Sequence, residues 1–178
     1  MVFPSSPQDV HPGRYFRDVL GNLPTGVVIV TARDPDDEPV GMVLGSFGSV
    51  SLDPPMVLFT ADRGSTSFPK IQAAGRFVVN VLASDQSALC HAMATKVPDR
   101  FETARRGSSG APVFDGIVAW IGCELADVIE AGDHLLVLGA VTDLQKVSDK
   151  HPLVFFRGGY GGFEPHAARL IDWFPGWG

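Results

Sequence analysis

Turn residues cut this chain into short pieces. Twenty glycines and 14 prolines are spread through its 178 residues, and the apolar runs between them are brief and β-branched. Gly and Pro are the poorest residues for a helix interior, and β-branched side chains lose rotamer freedom there. The runs therefore read as strands joined by tight turns. Residues 26–32 (GVVIVTA) predict a buried strand, ended by the turn at 34–39. Residues 40–50 predict a second, thinned by Gly41, Gly45 and Gly48, and glycine inside a strand marks a bulge or the close approach of another molecule. Residues 56–61, 77–82, 117–129, 134–147 and 153–156 supply five more.

Helical spacing is scarce. Tyr15, Phe16, Val19, Leu20 and Leu23 recur on one face of residues 12–23, with Gly21 and Pro24 to end them. Shorter helices are expected at 67–75 and 84–95, and a loop at 105–110. Seven strands, hairpin-length links and few helices predict a mainly β, antiparallel barrel occupying residues 12–163. A loose arm (1–11) precedes it and an aromatic tail (164–178) with Trp173, Phe174 and Trp177 follows it.

Composition narrows the class. At 45% hydrophobic and 19% charged the chain is globular. Its net charge of −6 argues against nucleic-acid binding through broad basic patches. Charges interrupt every apolar stretch, so no spanning helix is expected. The N-terminus lacks the basic start and apolar core of a secretory signal. Two cysteines, Cys90 and Cys123, stand outside any CxxC pair. A reduced, cytoplasmic protein without membrane contact follows.

Familiar catalytic signatures are missing. GxxxxGK[ST], HExxH and GxSxG do not occur, the glycines at 158–162 do not make GxGxxG, and the five histidines lack ligand spacing for zinc. Residues 63–67 (RGSTS) precede a helix with Pro69 in its first turn. Hydroxyls, backbone N–H groups and a guanidinium would converge there on an anion. An ordinary helix cap is the equally open alternative. Residues 41–51 (GMVLGSFGSVS) expose backbone polar groups to a flat polar ring, or are a glycine-kinked core strand. His134 at a hairpin tip and Arg157 beside a glycine cluster are either ligand contacts or solvated turn residues.

In this order and at these separations, eight segments resemble the short-chain flavin reductases, the small component of two-component flavin-dependent monooxygenases. They are residues 23–27, 39–42, 46–47, 49–55, 75–82, 99–101, 132–134 and 156–158. The likeness runs from Phe16 to Phe163 and implies an FMN-binding split β-barrel. It implies a flavin, FMN or FAD, along Pro39, Val40, Gly41, Met42 and Val43, and at Gly45 and Ser46. The ribityl phosphate then meets Thr60, Ala61, Asp62 and Arg63, and the small residues Gly64, Ser65, Thr66 and Ser67. Ala94, Thr95 and Arg100 match a further flavin-contacting stretch. His134 with Phe155, Phe156, Arg157 and Gly158 match positions that hold NADH or NADPH.

The resemblance implies hydride transfer from the nicotinamide to the flavin, with Ser46 and His134 placed at the reacting centre, followed by release of reduced flavin to an oxygenase partner. The flavin supplies the electronics, which suits the absence of acid–base signatures. A homodimer is also implied. One departure stands out: where many members carry a Thr-Ala-Asn-Ser-like stretch, this chain has Val43, Leu44, Gly45 and Ser46. Two side-chain hydrogen bonds to the ring are lost there. The alternatives are a flavin-binding barrel without turnover, and one holding flavin as a fixed prosthetic group for an organic substrate. No ribose-reading residue stands at a recognisable spacing, so FMN or FAD and NADH or NADPH stay open.

Overall fold

The computed structural model describes residues 12–107 and 109–164. The arm at 1–11 and nearly all of the tail expected at 164–178 lie outside the described residues. Seven strands form the main sheet: β2 (Val28–Arg33), β3 (Pro39–Leu44), β4 (Gly48–Leu52), β5 (Pro55–Asp62), β6 (Arg76–Val81), β9 (Ala119–Ala131) and β10 (His134–Lys146). Their order is β3-β2-β6-β9-β10-β5-β4, and each neighbouring pair is antiparallel. Beside it, β1 (Thr25–Gly26), β11 (Leu153–Phe156) and β12 (Gly159–Gly162) make a three-stranded sheet, and β7 (Ala104–Arg106) pairs with β8 (Pro112–Phe114). The helices are α1 (Pro12–Leu20), α2 (Phe68–Ala74) and α3 (Ser87–Ala94).

Chain connectivity forces the main sheet to curl. Laid flat, seven strands would separate the edge strands β3 and β4 by roughly 29 Å. The link between them, residues 45–47, spans at most about 15 Å. The two edges therefore approach each other and leave a seam, and the expected antiparallel split barrel is the architecture found. The single strand expected at 40–50 is in fact two strands on opposite edges. The Ser46 hydroxyl occupies the break: Oγ accepts from Thr60 N at 3.1 Å and donates to Thr60 O at 3.3 Å.

Side-chain alternation gives each strand of the barrel wall two jobs. Val28, Val30 and Ala32 of β2 face an inner core with Phe59, Phe77 and Val137, plugged by Phe68 and Ile71 of α2. Ile29 of β2 joins an outer core with Val78, Phe114, Cys90 and Met93. Covered on both faces, β2 reads as a continuous apolar run. Gly139 lies where the β9–β10 pairing shifts register. A methyl group there would sit 2.6 Å from Phe77 Cζ, so the inner aromatic packing requires glycine.

Several other boundaries differ from the sequence expectation. The loop at 105–110 is partly β7. The short strands β1, β8 and β12 carry no periodic signal, and exist because neighbours accept their backbone bonds. The helix expected from residue 84 starts at Ser87, because Ser84 N bonds His151 O and Ala83 bridges Pro152. The helix expected over 12–23 ends at Leu20 and continues as turns.

Asp34 locks the β2–β3 turn to α2. Its Oδ1 accepts from Asp36 N and Glu38 N, and its Oδ2 meets Lys70 Nζ at 3.0 Å. The Lys70 ammonium, and next the Glu38 backbone N–H, hold its carboxyl below the ordinary value of 3.8. Lys150 holds Asp85, and His134 holds Asp133, low in the same way. A depressed carboxylate contributes stability that is complete above its unfolded pKa and is lost as pH falls through the folded one. The denaturant midpoint is therefore expected to decline below about pH 4, and Lys70→Met is expected to flatten that decline. A midpoint unaffected by Lys70→Met throughout acid titration would contradict this role.

Candidate functional site

The seam opens into a cleft of about 610 Å³. One wall is the end of β3 and the turn after it (Met42, Val43, Leu44, Gly45, Ser46), and the other is the end of β5 and its loop (Thr60, Asp62, Gly64, Ser65). The β10–β5 register sets His134 opposite Asp62 and so brings it onto the same cleft. Its Nδ1 lies 2.7 Å from Asp133 Oδ1, leaving Nε2 as the ring nitrogen without that partner.

Val43, Leu44 and Gly45 also border a second, smaller pocket of about 180 Å³ with Thr25, Val27, Phe155 and Tyr160. This apolar strip is the segment where the sequence departs from its pattern. Gly45 packs so closely that an added methyl would sit 2.7 Å from Thr25 Oγ1. The Phe155 and Tyr160 rings meet with centroids 5.5 Å apart. Tyr160 Oη lies 3.2 Å from Cys90 Sγ, and this contact, then partial burial, pushes the phenol up to about 12. The pocket thus presents a neutral aromatic wall at ordinary pH.

The anion loop differs in detail from the sequence expectation. Gly64 N is spent on Asp62 Oδ1 at 2.6 Å, and Ser67 N and Phe68 N both donate to Ser65 Oγ. Ser65 is therefore the local cap, and Ser67 makes no side-chain cap bond. The Arg63 guanidinium pairs with Glu130 at 3.0 Å, both being substantially exposed. A second cation arrives from a distance: Lys96, in the left-handed region with φ 57°, donates from Nζ to Thr66 Oγ1. Sequence spacing gave no sign of Lys96, because the turn after α3 brings it across thirty residues of chain. Arg100 Nη1 grips the carbonyls of Lys96 and Val97, its guanidinium 5.1 Å above the Phe101 ring, and so steadies that turn.

Other anticipated residues fall away from the cleft. Val40 and Ala61 point into the inner core, because alternation along β3 and β5 turns them from the seam. Pro39 sits at the far end of β3, paired with Arg33. A Cβ on Gly41 would meet Met93 and Phe101, so that face is packed on the outer core. Ala94 and Thr95 end α3, where Thr95 Oγ1 bonds His91 O. The segment 155–158 is divided. Phe155 lines the small pocket, while Phe156 lines a separate hollow of about 400 Å³ with Pro24 and Tyr160. Arg157, at φ 50°, donates from Nε and Nη2 to Asn22 Oδ1 at 2.8 and 2.6 Å. It tethers the end of α1 and does not line the cleft; Gly158 completes the β11–β12 turn at φ 80°.

Comparison with known proteins gives this geometry its context. A family model described as "Flavin reductase like domain" matches residues 20–164. The chain belongs to the flavin reductase like domain family. A flavin reductase of Pseudomonas putida is 53% identical over 152 residues, covering 84% of this chain and 89% of that protein. Nitrilotriacetate monooxygenase component B from Mycobacterium thermoresistibile superposes with a TM-score of 0.85 at 39% identity, covering 93% of this chain and 94% of the other. The NADH:FAD oxidoreductase SgcE6 of Streptomyces globisporus, in complex with NAD and FAD fragments, gives a TM-score of 0.83 at 33% identity, covering 94% and 100%. Among the described residues of this flavin reductase like chain, no helix is long and apolar enough to cross a membrane.

Proposed function

We propose that the chain is an NAD(P)H:flavin oxidoreductase that reduces FMN or FAD and releases it to a flavin-dependent monooxygenase component. The observation that carries this reading is the make-up of the cleft: the apolar strip Val43 to Gly45 belongs to one wall, and the facing loop (Gly64, Ser65) is flanked by Arg63 and by Thr66, which receives Lys96. That arrangement fits a molecule with a flat ring and an anionic tail, and the volume is that of a small-molecule site.

Each group has a task. Val43, Leu44 and Gly45 exclude water from one face of the ring, with Ser46 fixed by Thr60 at its edge. Lys96 and Arg63 hold the phosphate as charge-assisted donors, Arg63 exchanging Glu130 for it. When bound, the flavin supplies the electron-accepting ring, so the protein's contribution is alignment of the nicotinamide over it. Asp133 engages Nδ1 of His134, so Nε2 is offered to the nucleotide. Phe155 and Tyr160 form an aromatic wall beside it. The absence of ring-directed side chains at Val43 and Gly45 favours loose binding, which a diffusing product requires.

The test is anaerobic mixing of the chain with flavin and NADH or NADPH, followed by loss of flavin absorbance. Reduction far above the protein-free rate is expected, and bleaching no faster than that control would reject the reading. His134→Ala is expected to raise the KM for the nucleotide about tenfold, the worth of one hydrogen bond from a polar ring, with the flavin KM unchanged. Steady turnover of excess free flavin distinguishes a diffusible product from a fixed prosthetic group. We also infer a homodimer acting in the cytoplasm. Phe16, Leu20 and Leu23 around α1 and Phe155, Phe156 and Phe163 nearby expose apolar area suited to a second copy, and Cys90 and Cys123 are free thiols.

A further inference from the structure

Another cavity, of about 390 Å³, lies at the opposite end of β3 from the cleft. The ends of that strand are roughly 16 Å apart. Three arginines line it: Arg33 from β2, Arg76 from the start of β6 and Arg106 from β7, with Ala73 and Ala74 of α2 and Ala111 of the β7–β8 turn beside them. Nothing in the flavin chemistry uses them.

The local charge is unbalanced. Asp34 is taken by Lys70. Asp37 alone serves both Arg33 and Arg106, while Arg33 Nε also donates to Gly110 O at 3.2 Å. Arg76 has no ion pair among the described residues. A positive excess is therefore concentrated in one concavity of a chain whose net charge is −6. A second, independent observation concerns Ser109, which lines the same cavity: its Oγ is buried and has no hydrogen-bond partner among the described residues. Buried hydroxyls are nearly always satisfied, so an orphan one at a cavity wall points to a missing acceptor. The acceptor that suits one hydroxyl and converging guanidinium forks is a multi-oxygen anion.

We propose that this cavity is an anion site distinct from the flavin cleft, taking the carboxylate or phosphate end of a small molecule between Arg76 and the Arg33–Arg106 pair, with Ser109 as an added donor. α2 joins the two sites, running from the loop at 63–67 to the cavity wall at Ala73 and Ala74.

The probes are inorganic phosphate and benzoate, titrated into the full chain at fixed ionic strength by calorimetry and amide NMR. Saturable binding is expected, with shifts at Gly110 and Ala111, and the probe that binds more tightly identifies the anion class. Arg76→Gln is expected to weaken binding about tenfold or more, the loss of one charge-assisted contact; Arg76 is at a strand end, and unchanged FMN binding verifies that the variant is folded. Ser109→Ala is expected to weaken binding while leaving stability equal or higher, because an unsatisfied hydroxyl is removed. Lys96→Ala is expected to leave binding here unchanged. No saturable binding of either probe overturns the proposal, as does binding that Arg76→Gln and Ser109→Ala both leave intact. Shifts confined to residues 62–67 overturn it too, since they would place the anion in the cleft.

Discussion

Removing both cations beside the cleft's 63–67 loop, with Lys96→Ala and Arg63→Ala together, is expected to weaken FMN binding about a hundredfold. Each charge-assisted contact to a phosphate is worth roughly tenfold or more when its donor is deleted. The two are not equal in preparation. Lys96 is held ready by its bond to Thr66 and by the turn that Arg100 braces. Arg63 must first leave Glu130, but an exposed ion pair is worth at most about 1 kcal/mol, so the exchange is inexpensive. Glu130→Gln is accordingly expected to tighten FMN two- to threefold, as about half a kilocalorie of competition is removed. Riboflavin, which lacks the phosphate, supplies the check: its affinity should stay within about twofold in the double variant. Equal losses for FMN and riboflavin would show that the substitutions damage the cleft rather than a phosphate contact.

The largest effect on stability is expected far from that cleft, at Asn80. This side chain is fully buried on the outer face of the barrel. Its Nδ2 donates to Ile29 O and Thr31 Oγ1, each at 3.2 Å, and its Oδ1 accepts from Phe114 N at 3.0 Å. Thr31 Oγ1 in turn donates to Pro112 O at 2.6 Å. Among the described strands β8 pairs with β7 alone, so these side chains stitch it to β2 and β6. Asn80→Leu keeps the branched outline of the side chain but leaves the Phe114 N–H and other buried polar groups without partners. Each costs about 1–3 kcal/mol, for a total of roughly 3–4 kcal/mol, or about 10 °C in Tm for a domain of this size. Thr31→Val is expected to cost less, and the double variant less than the two losses added, because both belong to one network. A change below about 1 kcal/mol for Asn80→Leu, measured by denaturant unfolding, would refute the assignment.

How legible the site was depends on the kind of signal each part carries. Glycine spacing marks residues 42–46, small polar residues mark Gly64 and Ser65, and a hairpin tip marks His134; the fold brings these to one cleft with Thr60 and Asp62, to which the family resemblance alone points. The family resemblance groups Val40 and Ala61 with them, yet strand alternation turns both inward. Arg157 has the charge for a phosphate, but Asn22, 135 positions away in the chain, claims its guanidinium. Lys96 carried no pattern at all. A lysine after a short helix looks like any solvated charge until the chain returns it to Thr66.

Local chemistry in the sequence decided the strand-rich class, the antiparallel pairing, the burial of residues 28–32 and the capped turn at 63–67, since period, turn residues and hydroxyls act over a few positions. Tertiary structure alone decided that residues 40–50 part into two edges, that the seam between them forms a cleft, and that Lys96, Glu130 and Asn22 become partners of Thr66, Arg63 and Arg157. These outcomes depend on barrel closure, which brings distant segments within hydrogen-bonding range and is set by packing summed over the whole chain.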